Sequence, residues 1–276
     1  MGNAPKRVVI ISDTHCGHQT GLTPPEWQAV PTDIDTQLNQ KLSKYRAESW
    51  ERYKKDVESL RDQRIDCLIA NGDLIDGRAE RAGGLETLHL DRNTQAKMAV
   101  RCIEVWDPKR VFILRGTDYH TGHHEQWEDV IRDILQYKGI ETKIGDHDWI
   151  DVNGFVFDCK HHIGGSQVPH GRFTAAAREE LWNVLWNEAG LAPRGDMIVR
   201  SHVHYHVGGW RCSGKRKIWF LTTPGLQGWT RYGGKRCSGT VDWGFLAFDI
   251  DAAGEIARWH DRRHVIQSNI AQVHKV

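Results

Sequence analysis

Three continuous apolar runs set the rhythm of the first half of the chain. Val8-Val9-Ile10-Ile11, within Arg7 to Ser12, is β-branched throughout, the pattern of a strand buried on both faces. Asp66 to Ala70 and Arg110 to Arg115 read as two more strands. Between the runs the period changes. From Tyr45 to Asp62, Trp50, Tyr53, Val57 and Leu60 recur at three- and four-residue steps with charges between them, which predicts a helix. Thr94 to Trp106 reads as a second helix, stopped by Pro108, and Glu125 to Tyr137 as a third. Residues 17–44, with Pro24, Pro25 and Pro31, and the Gly-rich stretch 77–93 read as loops beside the strand ends, suited to a lid.

The second half is richer in strands. Asp148 to Asp151 and Phe155 to Lys160, split by Asn153-Gly154, form a hairpin pattern. A helix is expected over Thr174 to Glu188. Strands are expected at Asp196 to Arg200, Val207 to Cys212, Lys217 to Thr222, Gly244 to Ile250 and Ile256 to His260, before a tail over 261–276. The order βαβαβα, then hairpin, helix and mostly antiparallel strands, predicts an α/β fold. Two mixed sheets would pack together, flanked by helices, as a four-layer α-β-β-α sandwich in a single domain over 1–276. Ligands of such sheets gather beyond the carboxyl ends of the strands.

Bulk properties narrow the classes. The chain has 276 residues, 39% of them hydrophobic, enough for one large core. A net charge of +1 gives no global electrostatic case for a nucleic-acid partner. No apolar run approaches the roughly 20 residues of a membrane span. The polar start from Met1 to Arg7 does not read as a secretory signal. The six cysteines include no Cys-x-x-Cys pair, and Cys67, Cys102 and Cys159 lie in apolar runs as buried thiols. The expected compartment is the reducing cytoplasm.

The chemistry sits where strands end. Ser12-Asp13-Thr14-His15, Asn71-Gly72-Asp73, His161-His162 and Ser201-His202-Val203-His204 each follow a predicted strand. Two imidazoles as close as His202 and His204 seldom serve packing, because each polar edge needs a partner. Carboxylates and imidazoles brought together beyond neighbouring strands suit borderline divalent cations, which makes a metal-dependent hydrolase the leading reading.

These residues resemble the calcineurin-like metallophosphoesterases, whose pattern is Asp-x-His, Gly-Asp, Gly-Asn-His-(Asp/Glu), a strand-terminal His and Gly-His-x-His. The resemblance runs from about Ile10 to Tyr205. It implies that Asp13, His15 and His204 hold one divalent ion, that Asp73 bridges two, and that His161 and His202 hold the second, with His162 as the alternative to His161. Mn²⁺ is the first expectation for both ions, and Fe, Zn²⁺ or Ni²⁺ also suit nitrogen and oxygen donors. Gly116-Thr117-Asp118-Tyr119-His120 stands where the family has Gly-Asn-His-(Asp/Glu). Thr117 therefore replaces the amide ligand, Asp118 occupies the slot of the leaving-group acid, and His120 is the residue expected to take that role. This Gly-Thr-x-x-His variant resembles phage and prophage members, which would place the protein in a host cytoplasm. Ser201 replaces the usual Gly.

The implied reaction is hydrolysis of a phosphate ester by a metal-activated water, on a phosphodiester or nucleic acid first. A phosphomonoesterase acting on nucleotide or protein phosphate is the alternative, and a non-catalytic binding module on the same fold is a third reading. From Arg211 to Arg236, basic residues alternate with Trp210, Trp219, Trp229 and Tyr232. The segment reads as an exposed hairpin with its Trp residues turned inward, and alternatively as a track for a phosphate backbone and stacked bases.

Overall fold

A computed structural model describes residues 4–29, 37–78, 84–121, 126–166, 168–214, 216–231, 233 and 241–265. Strands β1 (Lys6–Ile11), β2 (Ile65–Asn71), β3 (Arg110–Leu114) and β4 (Glu141–Gly145) run parallel. β10 (Trp243–Ile250) and β11 (Ile256–His264) complete their sheet antiparallel, in the order β11-β10-β1-β2-β3-β4. The second sheet has the order β5-β6-β7-β9-β8, from β5 (His147–Val152), β6 (Phe155–Lys160), β7 (Met197–Arg200), β8 (Gly208–Ser213) and β9 (Arg216–Thr222).

Alternation along β1 explains the layering. Val9 and Ile11 face one apolar cluster with Trp50, Tyr53 and Val57 of α1 (Gln37–Glu58), Ala96 and Ile103 of α2 (Arg92–Glu104), and Ile131 and Leu135 of α4 (Trp127–Tyr137). Val8 and Ile10 face another, shared with Phe157, Met197 and Val199 of the second sheet. A third cluster joins Ile198, Ile218 and Phe220 to Ala176 of α5 (Gly171–Glu188). Three apolar layers separate four layers of secondary structure, in the order α-β-β-α.

The differences from expectation have local causes. α1 begins at Gln37, so the second part of the expected loop 17–44 is helical; its first turns carry an exposed Leu38 and polar side chains, and show no apolar stripe. β4 had no predicted counterpart, because an edge strand with only Thr142 fully buried leaves no apolar run. β11 extends to His264 into the expected tail. Residues 266–276 of that tail and 79–83 of the loop 77–93 lie outside the described residues, as do Tyr232 and 234–240. Trp210 is turned outward, 54% exposed, against the inward placement expected of it. Lys217 places its ammonium 4.5 Å from the Trp210 ring and 4.0 Å from that of Trp219. Arg211 and Arg216 of the same hairpin are paired with Glu180 and Asp196. Cys16, Cys67, Cys102 and Cys159 are buried and free, and Cys212 is exposed. Among the described residues no helix is long and apolar enough to cross a membrane.

Candidate metal centre

The motifs converge past the carboxyl ends of β1, β2, β3, β6 and β7. Pairing between the first two strands continues into their loops: the Asp13 N–H donates to Gly72 O at 2.9 Å and the His15 N–H to Asp73 O at 3.0 Å. Asp13, His15, Asp73, His202 and His204 all have positive φ, between 40° and 74°. Non-glycine residues visit this region rarely, and here it turns the chain sharply enough to aim alternate side chains at one place. Gly72 also has positive φ, and a Cβ there would lie 2.5 Å from His161 Nδ1. A Cβ on Gly116 would lie 2.2 Å from Asp73 Oδ1. Both glycines are thus demanded by close approach.

Three groups form, and in each the potential ligand atoms lie within 4.8 Å of one another: Asp13, His15 and His204; Asp73, His161 and His202; and His15, Asp73 and His120. In the first, His204 Nε2 is 3.1 Å from Asp13 Oδ1 and 3.3 Å from His15 Nε2. In the second, His161 Nε2 and His202 Nδ1 lie 2.9 and 3.7 Å from Asp73 Oδ2. His161 Nε2 is 4.0 Å from Asp13 Oδ1, so the two groups adjoin. Within the doublet, His161 is buried and stands in the second group, while His162 is exposed with its ring 4.8 Å from that of His202.

The loop after β3 is divided. The Thr117 N–H and hydroxyl both donate to the Asp73 carboxylate, at 2.7 and 3.0 Å, so Thr117 orients that carboxylate. Asp118 starts the short helix α3 (Asp118–Thr121), is exposed, and is in none of the three groups. His120 does reach the centre. Its ring centroid is 4.4 Å from that of His15, and its Nδ1–H donates to Asp76 O at 2.9 Å.

Electrostatics follow from burying this much charge. His161 donates from Nδ1 to Asn71 O at 2.6 Å and from Nε2 to Asp73 Oδ2, so both nitrogens act as donors and the ring is an imidazolium. Burial opposes that charge, but Asp73 and Asp13 outweigh it and raise the His161 pKa to about 10. Burial pushes the Asp13 and Asp73 carboxyls up, yet His204 and His161 beside the one, and His161 and His202 beside the other, hold both below the usual carboxylate range. His15 is driven well below its ordinary value by burial and then by His120. Asp13 Oδ1 and His15 Nδ1 are buried without a hydrogen bond. Orphaned donor atoms of this kind, in a set of carboxylates and imidazoles with no thiolate, fit borderline divalent cations.

Two supports carried no sequence signal. Glu128 on α4 is fully buried and accepts the Leu74 N–H at 3.0 Å and the Gly116 N–H at 2.7 Å, clamping the residues beside Asp73 and Thr117. Burial and then Asp73 raise its carboxyl to about 7, against the pull of the two N–H groups. Below the centre, Asn71 Nδ2 donates to Ser201 Oγ at 2.6 Å. Ser201 bonds to Thr223 Oγ1, and Thr223 to Ser12 Oγ, each at 2.7 Å. The chain of polar groups ties both sheets together, and it gives Ser201 a role that a glycine there could not fill.

The profile of the calcineurin-like phosphoesterase family matches residues 6–227. No sequence among the curated proteins matches. Solved structures similar to this chain include an archaeal phosphodiesterase, at 13% identity over 92% of this chain and 98% of that one with a TM-score of 0.44. Another is Vps29 of Chaetomium thermophilum, at 10% identity over 89% and 85% with a TM-score of 0.40. A third is the purple acid phosphatase PPD1 from seeds of yellow lupin (Lupinus luteus), at 11% identity over 94% and 53% with a TM-score of 0.42.

Proposed function

We propose, from the premise that this chain belongs to the calcineurin-like phosphoesterase family, that it is a two-metal phosphodiesterase or nuclease. The observation that carries the reading is the convergence of two adjoining ligand groups from four separate strand ends. Asp13, His15 and His204 would hold one divalent ion, His161 and His202 the other, and Asp73 both. Bound there, the ions would supply charge neutralisation and an acidified water. The protein's own part is orientation and proton transfer. Thr117 fixes the Asp73 carboxylate through two hydrogen bonds. His120, anchored through Nδ1–H on the Asp76 carbonyl with its ring against His15, would protonate the leaving oxygen. Such an acid matters most for an alkoxide leaving group, as in an ester of a sugar hydroxyl. Mn²⁺, a nucleotide or nucleic-acid substrate, a phage-type origin and a cytoplasmic workplace belong to the same proposal. Retention of every ligand of the pattern except the one that Thr117 replaces speaks against a non-catalytic binding module.

The test compares bis(nitrophenyl) phosphate with mono(nitrophenyl) phosphate in Mn²⁺, followed by DNA, RNA and cyclic nucleotides. The diester should turn over faster, and Asp73→Asn should lose both turnover and bound metal. Faster monoester turnover would make the protein a phosphomonoesterase. His120→Ala should lose about 10²–10⁴-fold with an alkyl diester and far less with a nitrophenyl ester; equal losses would remove it from the acid role.

A further inference from the structure

A half-open cavity of about 500 Å³ lies between the first turns of α1 and the loops 17–29 and 84–88, lined by Gln19, Gln28, Gln40, Ser43, Arg46 and Thr87 among others. Its volume is that of a small-ligand site. Arg46 is only 5% exposed, and among the described residues no carboxylate pairs with it. Its guanidinium makes one long hydrogen bond, Nη2 to Gln28 O at 3.4 Å, and its Nε–H has no acceptor. The Thr87 hydroxyl on the facing loop is also buried without a partner. A guanidinium taken out of water without a counter-ion is costly, and a fork of N–H donors is matched by a phosphate or carboxylate. Burial lowers the Arg46 pKa, and among the described residues no acidic neighbour raises it.

The cavity is tied to the metal centre by short chain. Gln19 is four residues past His15, a reach of at most ~14 Å. The Gln19 N–H donates to Glu86 O at 2.8 Å and the Leu88 N–H to Gly17 O at 2.6 Å. Both walls therefore hang on the backbone that carries His15. Amide and hydroxyl side chains around one guanidinium suit a polar body bearing an anion.

We infer that this cavity holds the second anionic group, a phosphate or a carboxylate, of a nucleotide-sized ester whose scissile phosphate lies at the metal centre. The inference rests on the phosphate-ester reading above, and its test has an arm that does not. Metal-free protein is titrated calorimetrically with thymidine 3′,5′-bisphosphate, with phosphoglycolate and with thymidine. The bisphosphate binding more tightly than phosphoglycolate identifies a phosphate, and the reverse a carboxylate; thymidine should not bind. Arg46→Met should weaken the bound anion at least tenfold. Ser43→Trp, which fills the cavity from an exposed position and leaves Arg46 in place, should do the same. The second arm measures KM for thymidine 5′-nitrophenyl phosphate with and without a 3′-phosphate. The preference for the phosphorylated ester should fall at least tenfold in both variants, through KM and not kcat. Binding that is equal in wild type and both variants, or no binding by either anion, overturns the inference. Anion binding that depends on Arg46, with neither ester hydrolysed, supports the cavity and sinks the phosphoesterase reading instead.

Discussion

Removal of the Glu128 carboxylate is the sharpest test of how the centre is held. Glu128→Ala leaves the Leu74 and Gly116 N–H groups buried without acceptors. Each such group costs about 1–3 kcal/mol, so the variant should lose about 2–6 kcal/mol of stability. Glu128→Gln keeps one acceptor and turns an amide N–H₂ toward the other donor, so its loss should be roughly half as large. The pH dependence gives a second signature. The folded carboxyl sits at about 7, above an ordinary value of 4.5, so between those values the folded protein binds the proton that the unfolded chain releases. This contribution to stability is fully present below about pH 4.5 and declines as pH rises through 7. A shift of this size corresponds to about 3 kcal/mol. Urea denaturation of metal-free wild type and Glu128→Gln at pH 5, 6, 7 and 8 isolates it. The stability advantage of wild type should shrink steadily with rising pH. A Gln variant as stable as wild type throughout would refute the clamp, and an advantage that grows with pH would refute the raised carboxyl.

The pKa of about 10 makes His161 an imidazolium in the metal-free protein at pH 8, and a metal ligand must be neutral. Loading Mn²⁺ or Zn²⁺ at pH 8 should therefore release about one proton, read by calorimetry in two buffers of different ionisation enthalpy; no release would remove His161 from the ligand set or from the charged state. The same shift gives the metal-free fold stability that is complete below about pH 6.5 and lost as pH rises through 10. Ser201→Ala breaks the link between Asn71 and Thr223, and should cost about 1–3 kcal/mol in thermal denaturation; a loss under about 0.5 kcal/mol would make the polar chain incidental.

What the sequence showed and what it hid divide along a physical line. β1, β2 and β3 were readable because a strand buried on both faces must be apolar at every position, as Val8 to Ile11 are. The candidate ligands were readable because each sits within a few residues of such a strand, so the strand places it. β4 and the first turns of α1 were not, since an edge strand or an exposed turn leaves no apolar pattern behind. The supports are hidden for another reason. Glu128 reaches partners 12 and 54 residues away, and its own neighbourhood, Trp127 to Asp133, reads as an ordinary amphipathic helix. A charge on such a helix is normally solvated, and nothing local distinguishes one that is folded inward. Arg46 is concealed in the same way among the charges of α1. The nomination of candidate ligands is thus local in this chain, while the orientation of their side chains is tertiary. Substitutions of the two kinds should accordingly separate. Asp73→Asn, which keeps an oxygen to accept the Thr117 donors, and His202→Ala should abolish metal binding in a protein that stays folded. Changes at Glu128 or Ser201 lower stability and metal affinity together, because the same hydrogen bonds that hold the loops also aim the ligands.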